Sequence, residues 1–99
     1  MSRDTPVTLI THADLDAGYR LALELLGSGH RVVVTSRHPS ELTRIVHGFA
    51  TDQVFAIAAD PDDDRQLARI LRRSQDRLGR VTRVIDARVI GATNWGSAA

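Results

Sequence analysis

Apolar and polar positions follow two rhythms along this chain. Short runs rich in β-branched residues read as buried strands: Val7 to Thr11 (VTLIT), Arg31 to Ser36 (RVVVTS), Gln53 to Ala59 (QVFAIAA) and Val81 to Asp86 (VTRVID). The three consecutive valines of the second run suit a parallel strand covered on both faces. Between the runs, apolar residues recur at helical spacing. Leu21, Ala22, Leu25 and Leu26 give one apolar face to a helix starting at Tyr19, with Asp14 or Asp16 as its N-cap and Gly27 and Gly29 at its end. Pro39 occupies a first helical position, and the short helix Ser40 to His47 turns Leu42, Ile45 and Val46 inward before Gly48 stops it. The longest helix runs from Asp62 to about Leu78 and buries Leu67, Ile70, Leu71, Ser74 and Leu78. The acidic turn at its start, Asp60-Pro61-Asp62-Asp63-Asp64, caps free amides and suits the positive end of the helix dipole.

Strands that alternate with helices through short connections predict a parallel sheet wrapped on both sides, a three-layer α/β architecture. With right-handed crossovers, the expected strand order is 3-2-1-4, one half of a doubly wound sheet with about three helices. In that order the first two helices cover one face and the Asp62–Leu78 helix stands alone on the other. At 99 residues the chain is a single domain, 1–99, with a frayed start at 1–6 and a small-residue tail at 87–99 that carries Trp95.

Composition narrows the chemistry. There is no cysteine, which excludes disulfides and thiolate metal sites and is compatible with a reducing compartment. No apolar run approaches the roughly 20 residues of a membrane span, and MSRDTP has no signal-peptide core, so the chain reads as cytoplasmic. All thirteen basic residues are arginine, so no lysine is present for catalysis, for a Schiff base or for a Walker-type phosphate loop. The four histidines (His12, His30, His38, His47) show no metal-ligand spacing, and no metal site is expected. The formal charge of +1 argues against a strong electrostatic nucleic-acid binder, and nucleic acid is a disfavoured partner by this reading. Arg65, Arg69, Arg72, Arg73 and Arg77 on the third helix read as a solvated face salt-bridged to Asp62, Asp63, Asp64 and Asp76.

The layout from Val7 to about Val89 resembles the N-terminal half of the short-chain dehydrogenases/reductases. The segments that carry the resemblance, in order, are VTLIT, LALELLGSGHRVVVTSR, HPSEL, VFAIAAD, a long helix ending LGRV, and VTRVID. The resemblance implies a Rossmann-like fold. It also implies that the family's catalytic Tyr-x-x-x-Lys, with its preceding serine, falls in a half these residues do not contain. The one tyrosine, Tyr19, is followed four places later by Leu23. No catalytic residue is therefore assigned.

The same resemblance implies where a cofactor would touch. The family's phosphate loop, T-G-x-x-x-G-x-G, is matched here by Thr11 and Gly18, while His12 and Asp16 replace its first two glycines. Those glycines permit a tight turn and close backbone approach to a pyrophosphate. His12 fills space beside the expected ribose, and Asp16, with Asp14, sets negative charge beside two phosphates. Two like charges about 4 Å apart repel by roughly 1 kcal/mol in water, and by more when buried. Arg37 sits where NADP-preferring members place an arginine against the 2′-phosphate. The other reading of Arg37 is a solvated residue before Pro39. Asp60 matches an aspartate that contacts adenine, and otherwise serves the acidic turn. The family's N-N-A-G after the fourth strand becomes Asp86-Ala87-Arg88-Val89. The expected cofactor is accordingly none, or NADP held weakly through Thr11, His12, Gly18, Arg37 and Asp60.

These readings lead to a reductase-like module without catalytic residues, acting in binding, scaffolding or regulation. An NADP-binding subunit that needs a partner chain is the alternative, and a nucleic-acid-binding module a distant third. The fourth strand, left as a free edge with Val84 and Ile85, predicts a homodimer formed through that strand, the 62–78 helix and the tail. A protein partner that supplies the missing half is the variant of this expectation.

Overall fold

A computed structural model describes residues 6–93. The chain runs β1 (Val7–Thr11), α1 (Asp16–Gly27), β2 (Arg31–Ser36), α2 (Pro39–Val46), β3 (Val54–Ala58), α3 (Asp64–Arg77), β4 (Val81–Asp86) and α4 (Ala87–Thr93). The four strands form one parallel sheet in the order β3-β2-β1-β4, the expected Rossmann-like half. Leu9 is in register with Val33 on one side and Val84 on the other, and Val33 with Phe55.

Strand burial follows from this order. β1 is buried along its whole length and β2 from Val32 to Ser36, as central parallel strands covered on both faces must be. One face packs Ile10, Val32, Val34 and Val54 under Ala22 and Leu26 of α1 and Leu42 and Ile45 of α2. The other packs Val7, Leu9, Val33, Phe55 and Ile57 against Ile70 and Leu78, at and just after α3. Tyr19, Leu21 and Leu25 line the rim of the first core, and Leu67 and Leu71 the rim of the second. α3 is the single helix on its face among the described residues. At the sheet edge β4 is less buried, and Val84 is 52% exposed.

Helix ends differ from expectation in three places. α1 begins at Asp16, three residues before Tyr19, and neither Asp14 nor Asp16 caps it. Its N-cap is Leu15, without a side-chain hydrogen bond, because a tight turn in which Leu15 N–H donates to the His12 carbonyl (3.1 Å) sets the entry. α3 begins at Asp64 with Asp63 as its cap, whose carboxylate accepts from the amides of Arg65 (2.9 Å) and Gln66 (3.3 Å). The segment from Ala87, expected as tail, forms a fourth helix. Its first turn is seeded by Asp86, whose Oδ1 accepts the Arg88 amide at 2.9 Å. α4 packs against α1 and places Ala87 in the core with Ile10 and Ala13. At the far end of α1, Gly29 takes φ +87°, the left-handed conformation that closes a helix. Residues 1–5, and Trp95 with them the expected tail contact, lie outside the described residues.

Candidate functional site

In an open parallel α/β sheet, ligands bind beyond the carboxyl ends of the strands. Here that end holds a cleft of about 290 Å³ lined by His12 and Asp14 after β1, Ser36, Arg37 and His38 at the end of β2, Asp62 before α3, and Arg88 in α4. Four chain crossings thus meet at one place, although their residues are up to 76 positions apart.

The β1–α1 turn fixes the cleft floor. His12 has φ +56°, a left-handed conformation that costs a residue with a Cβ about 1–2 kcal/mol and glycine little. The backbone therefore keeps the shape that a glycine would allow, with an imidazole added. Ala13 N–H then donates to the Thr35 carbonyl at 3.1 Å, which ties the turn to β2. A Cβ on Gly18 would lie 2.8 Å from Ala13 Cα and 3.0 Å from Ala87 Cβ, so α1 approaches the turn and α4 as closely as only glycine permits.

The polar groups are committed mainly to one another. His12 Nε2 lies 3.4 Å from Asp62 Oδ1, with the His12 side chain 18% exposed. Arg88 donates to both oxygens of Asp62 (3.0 and 3.3 Å) and forks onto Asp86 (2.8 to 3.2 Å). The hydrogen-bonded Arg88 guanidinium holds the Asp86 carboxyl below its ordinary value, and the carboxylates raise Arg88 further above its own. A chain of charge-assisted contacts, His12–Asp62–Arg88–Asp86, therefore spans the mouth from β1 to β4. Arg37 is exposed and has no carboxylate within salt-bridge distance among the described residues.

Of the five residues singled out from the sequence, His12 and Arg37 line the cleft. The other three sit in its frame. Thr11 is buried, with Oγ1 3.5 Å from the Ile85 carbonyl. Gly18 is buried under the turn. Asp60 accepts the Asp62 amide at 3.0 Å, and its own N–H donates to Gln66 Oε1 at 2.7 Å. Asp16, expected beside the phosphates, instead faces α2: it is 84% exposed, with Oδ1 3.7 Å from Arg44. Asp14 is the loop carboxylate that lines the cleft. Arg88 and the cleft role of Asp62 were not anticipated. The available signal was Asp86-x-Arg88 directly after a strand, a spacing that lets one aspartate hold both the amide and the guanidinium two residues on. Among the described residues no three His, Asp or Glu side chains converge as a metal site, and no helix is long and apolar enough to cross a membrane.

A parallel 3-2-1-4 sheet with a loop cleft at its carboxyl end defines the class: one half of a Rossmann-like fold. No family model matches the chain. It is 30% identical over 82 residues to oxidoreductase BOA17 of Botryotinia fuckeliana (strain B05.10), covering 83% of this chain and 30% of that protein. Among solved structures, it matches a short-chain dehydrogenase from Streptomyces avermitilis at 27% identity and a TM-score of 0.72, over 85% of this chain and 30% of that one. A metagenomic short-chain oxidoreductase in complex with NADP matches at 24% identity and a TM-score of 0.67, over 85% and 39%. By sequence and by fold, then, the chain is short-chain dehydrogenase/reductase-like and corresponds to the N-terminal part of that fold. It spans about 30% of the length of the curated relative it matches.

The fit of a dinucleotide to these residues is uneven. Where a diphosphate would lie against the β1–α1 turn, the cleft offers two carboxylates, Asp14 and Asp62, an imidazole bonded to one of them, and an arginine already neutralised by Asp62 and Asp86. The residues do not fit a diphosphate there. Toward β2, the uncommitted Arg37 fits a phosphate monoester.

Proposed function

We propose that these residues form a non-catalytic, reductase-like Rossmann module that works in binding, scaffolding or regulation and does not itself transfer hydride. The observation that carries this reading is the His12–Asp62–Arg88–Asp86 chain across the cleft mouth, which uses its own charges where a diphosphate would need free donors. Titration of NADPH into the protein by calorimetry is expected to give no saturable heat up to about 1 mM. A micromolar Kd would sink the proposal.

The second reading is an NADP-binding subunit completed by a partner chain, and the free Arg37 is the feature that favours it. If NADPH does bind, Arg37→Ala weakens it by about tenfold or more under this reading, the loss expected for one charge-assisted phosphate contact.

The same module is proposed to be a cytoplasmic homodimer. β4 is a sheet edge, and Val84, in register with buried Leu9, is 52% exposed on the α3 face. Val89 of α4 is 55% exposed nearby in sequence. Unpaired edges with apolar side chains favour strand addition. Sedimentation at micromolar concentration is expected to give twice the 10.9 kDa chain mass, and Val84→Asp to halve it. A wild-type chain that sediments as a monomer overturns the dimer.

A further inference from the structure

The outer face of α3 is basic along its length. Arg65, Arg69, Arg72, Arg73 and Arg77 are all exposed, and their spacing of four, three, one and four residues sets them along one side of the helix. The buried side is taken by Ile70 and Ser74, with Leu78 following.

The salt bridges expected to neutralise this face are not formed. None of the five arginines has a carboxylate within 4 Å among the described residues. The acidic residues nearby are engaged elsewhere or outnumbered. Asp62 is bonded to His12 and Arg88, Asp63 caps the helix, and only Asp64 and Asp76 remain on α3 against five arginines. Two of the arginines are ordered by an aromatic ring instead: Arg77 lies 4.5 Å and Arg73 5.6 Å from the Phe55 centroid. In a chain of net charge +1, α3 thus carries five of the thirteen arginines on one side. Beyond Arg77 the surface dips into a hollow of about 540 Å³ whose lining adds Arg31 and Arg80.

We propose that the α3 face binds the backbone of a nucleic-acid duplex without reading its sequence. The stripe from residue 65 to residue 77 is about 18 Å long. A duplex strand carries a phosphate about every 3.4 Å along its axis but winds around it, so a straight stripe of this length meets about three or four phosphates. No exposed aromatic side chain on the stripe offers base stacking, because the nearby Phe55 is covered, and α3 lies flat on the sheet rather than projecting into a groove. Phosphate contacts alone remain.

The test is fluorescence anisotropy with a labelled 20-base-pair duplex of arbitrary sequence. Wild-type protein is expected to bind with a Kd between about 1 and 100 µM at 50 mM salt, and to lose roughly 10²-fold in affinity at 200 mM. The double variant R69E/R72E is expected to weaken binding at least tenfold and flatten the salt dependence. It keeps the helix, since glutamate and arginine have similar helix propensity and the change at position 69 lies four residues from both Arg65 and Arg73. A charge-matched reversal on the opposite face, R20E/R44E, is expected to stay within about threefold of wild type. The proposal is overturned by absence of saturable binding at 50 mM salt, by an equal loss in R20E/R44E, or by tighter binding to phosphatidylserine vesicles than to the duplex.

Discussion

Gly18→Ala is expected to leave the protein about 1–3 kcal/mol less stable than Gly27→Ala, a change of the same kind in the same helix. Helix propensity alone favours alanine over glycine by up to about 1 kcal/mol. The two sites differ in what a Cβ meets. At Gly27 nothing lies within 4 Å, whereas at Gly18 the new atom would sit 2.8 Å from the backbone of Ala13 and 3.0 Å from Ala87. Backbone cannot turn aside as a flexible side chain can, so α1 must shift away from the β1–α1 turn or α4 must move. Either shift disturbs the residues that frame the cleft. Urea denaturation of the two variants gives the comparison, and Gly18→Val falls further because it adds two methyl groups at the same contact. Equal midpoints for Gly18→Ala and Gly27→Ala would show that the close approach is not a constraint on the fold.

Gly18 also marks how far the fold was legible in the chain. Its place seven residues after Thr11, between a β-branched run and a helical one, pointed to the turn it occupies. The sheet was legible because strand identity rests on local composition: RVVVTS admits few alternatives, and short connections with a fixed crossover hand leave only a few strand orders. α4 was harder to see. Ala87 to Thr93 is short, contains a glycine, and is held by Asp86 and by packing on α1, which is tertiary information. The site divides in the same way. His12 and Arg37 could be placed in the cleft because each directly follows a strand. The pairing of Asp62 with Arg88 joins residues 26 apart from different elements, and nothing in the local pattern of either announces it. The expected ion pairs on α3 failed for a related reason: Asp63 serves as the N-cap and Asp62 turns toward the cleft, so neither is left for the arginines.

Ile70→Ala is expected to cost about 2–5 kcal/mol, among the largest effects available to a single substitution here. Ile70 is fully buried and packs in the cluster with Val7, Leu9, Val33, Phe55 and Ile57. On the other face, α1, α2 and α4 share the cover, so loss of one side chain leaves the remaining helices in place. α3 has no such neighbour among the described residues. Its own buried anchors are Ile70 and Ser74, with Leu78 at the C-cap, and Ser74 spends its hydroxyl on the Ile70 carbonyl at 2.6 Å. Removing Ile70 opens a void under the middle of the one helix that covers that face. For a chain of 99 residues, about 4–8 °C in Tm accompanies each kcal/mol, so the melting temperature is expected to fall by at least about 8 °C. Hydrogen exchange separates local from global loss. If α3 amides in Ile70→Ala exchange faster while those of β1 and β2 keep their relative protection, α3 opens as its own unit. If all amides gain exchange together, the two faces of the sheet stand or fall as one. A Tm within 2 °C of wild type would mean that the sheet does not depend on the packing of α3.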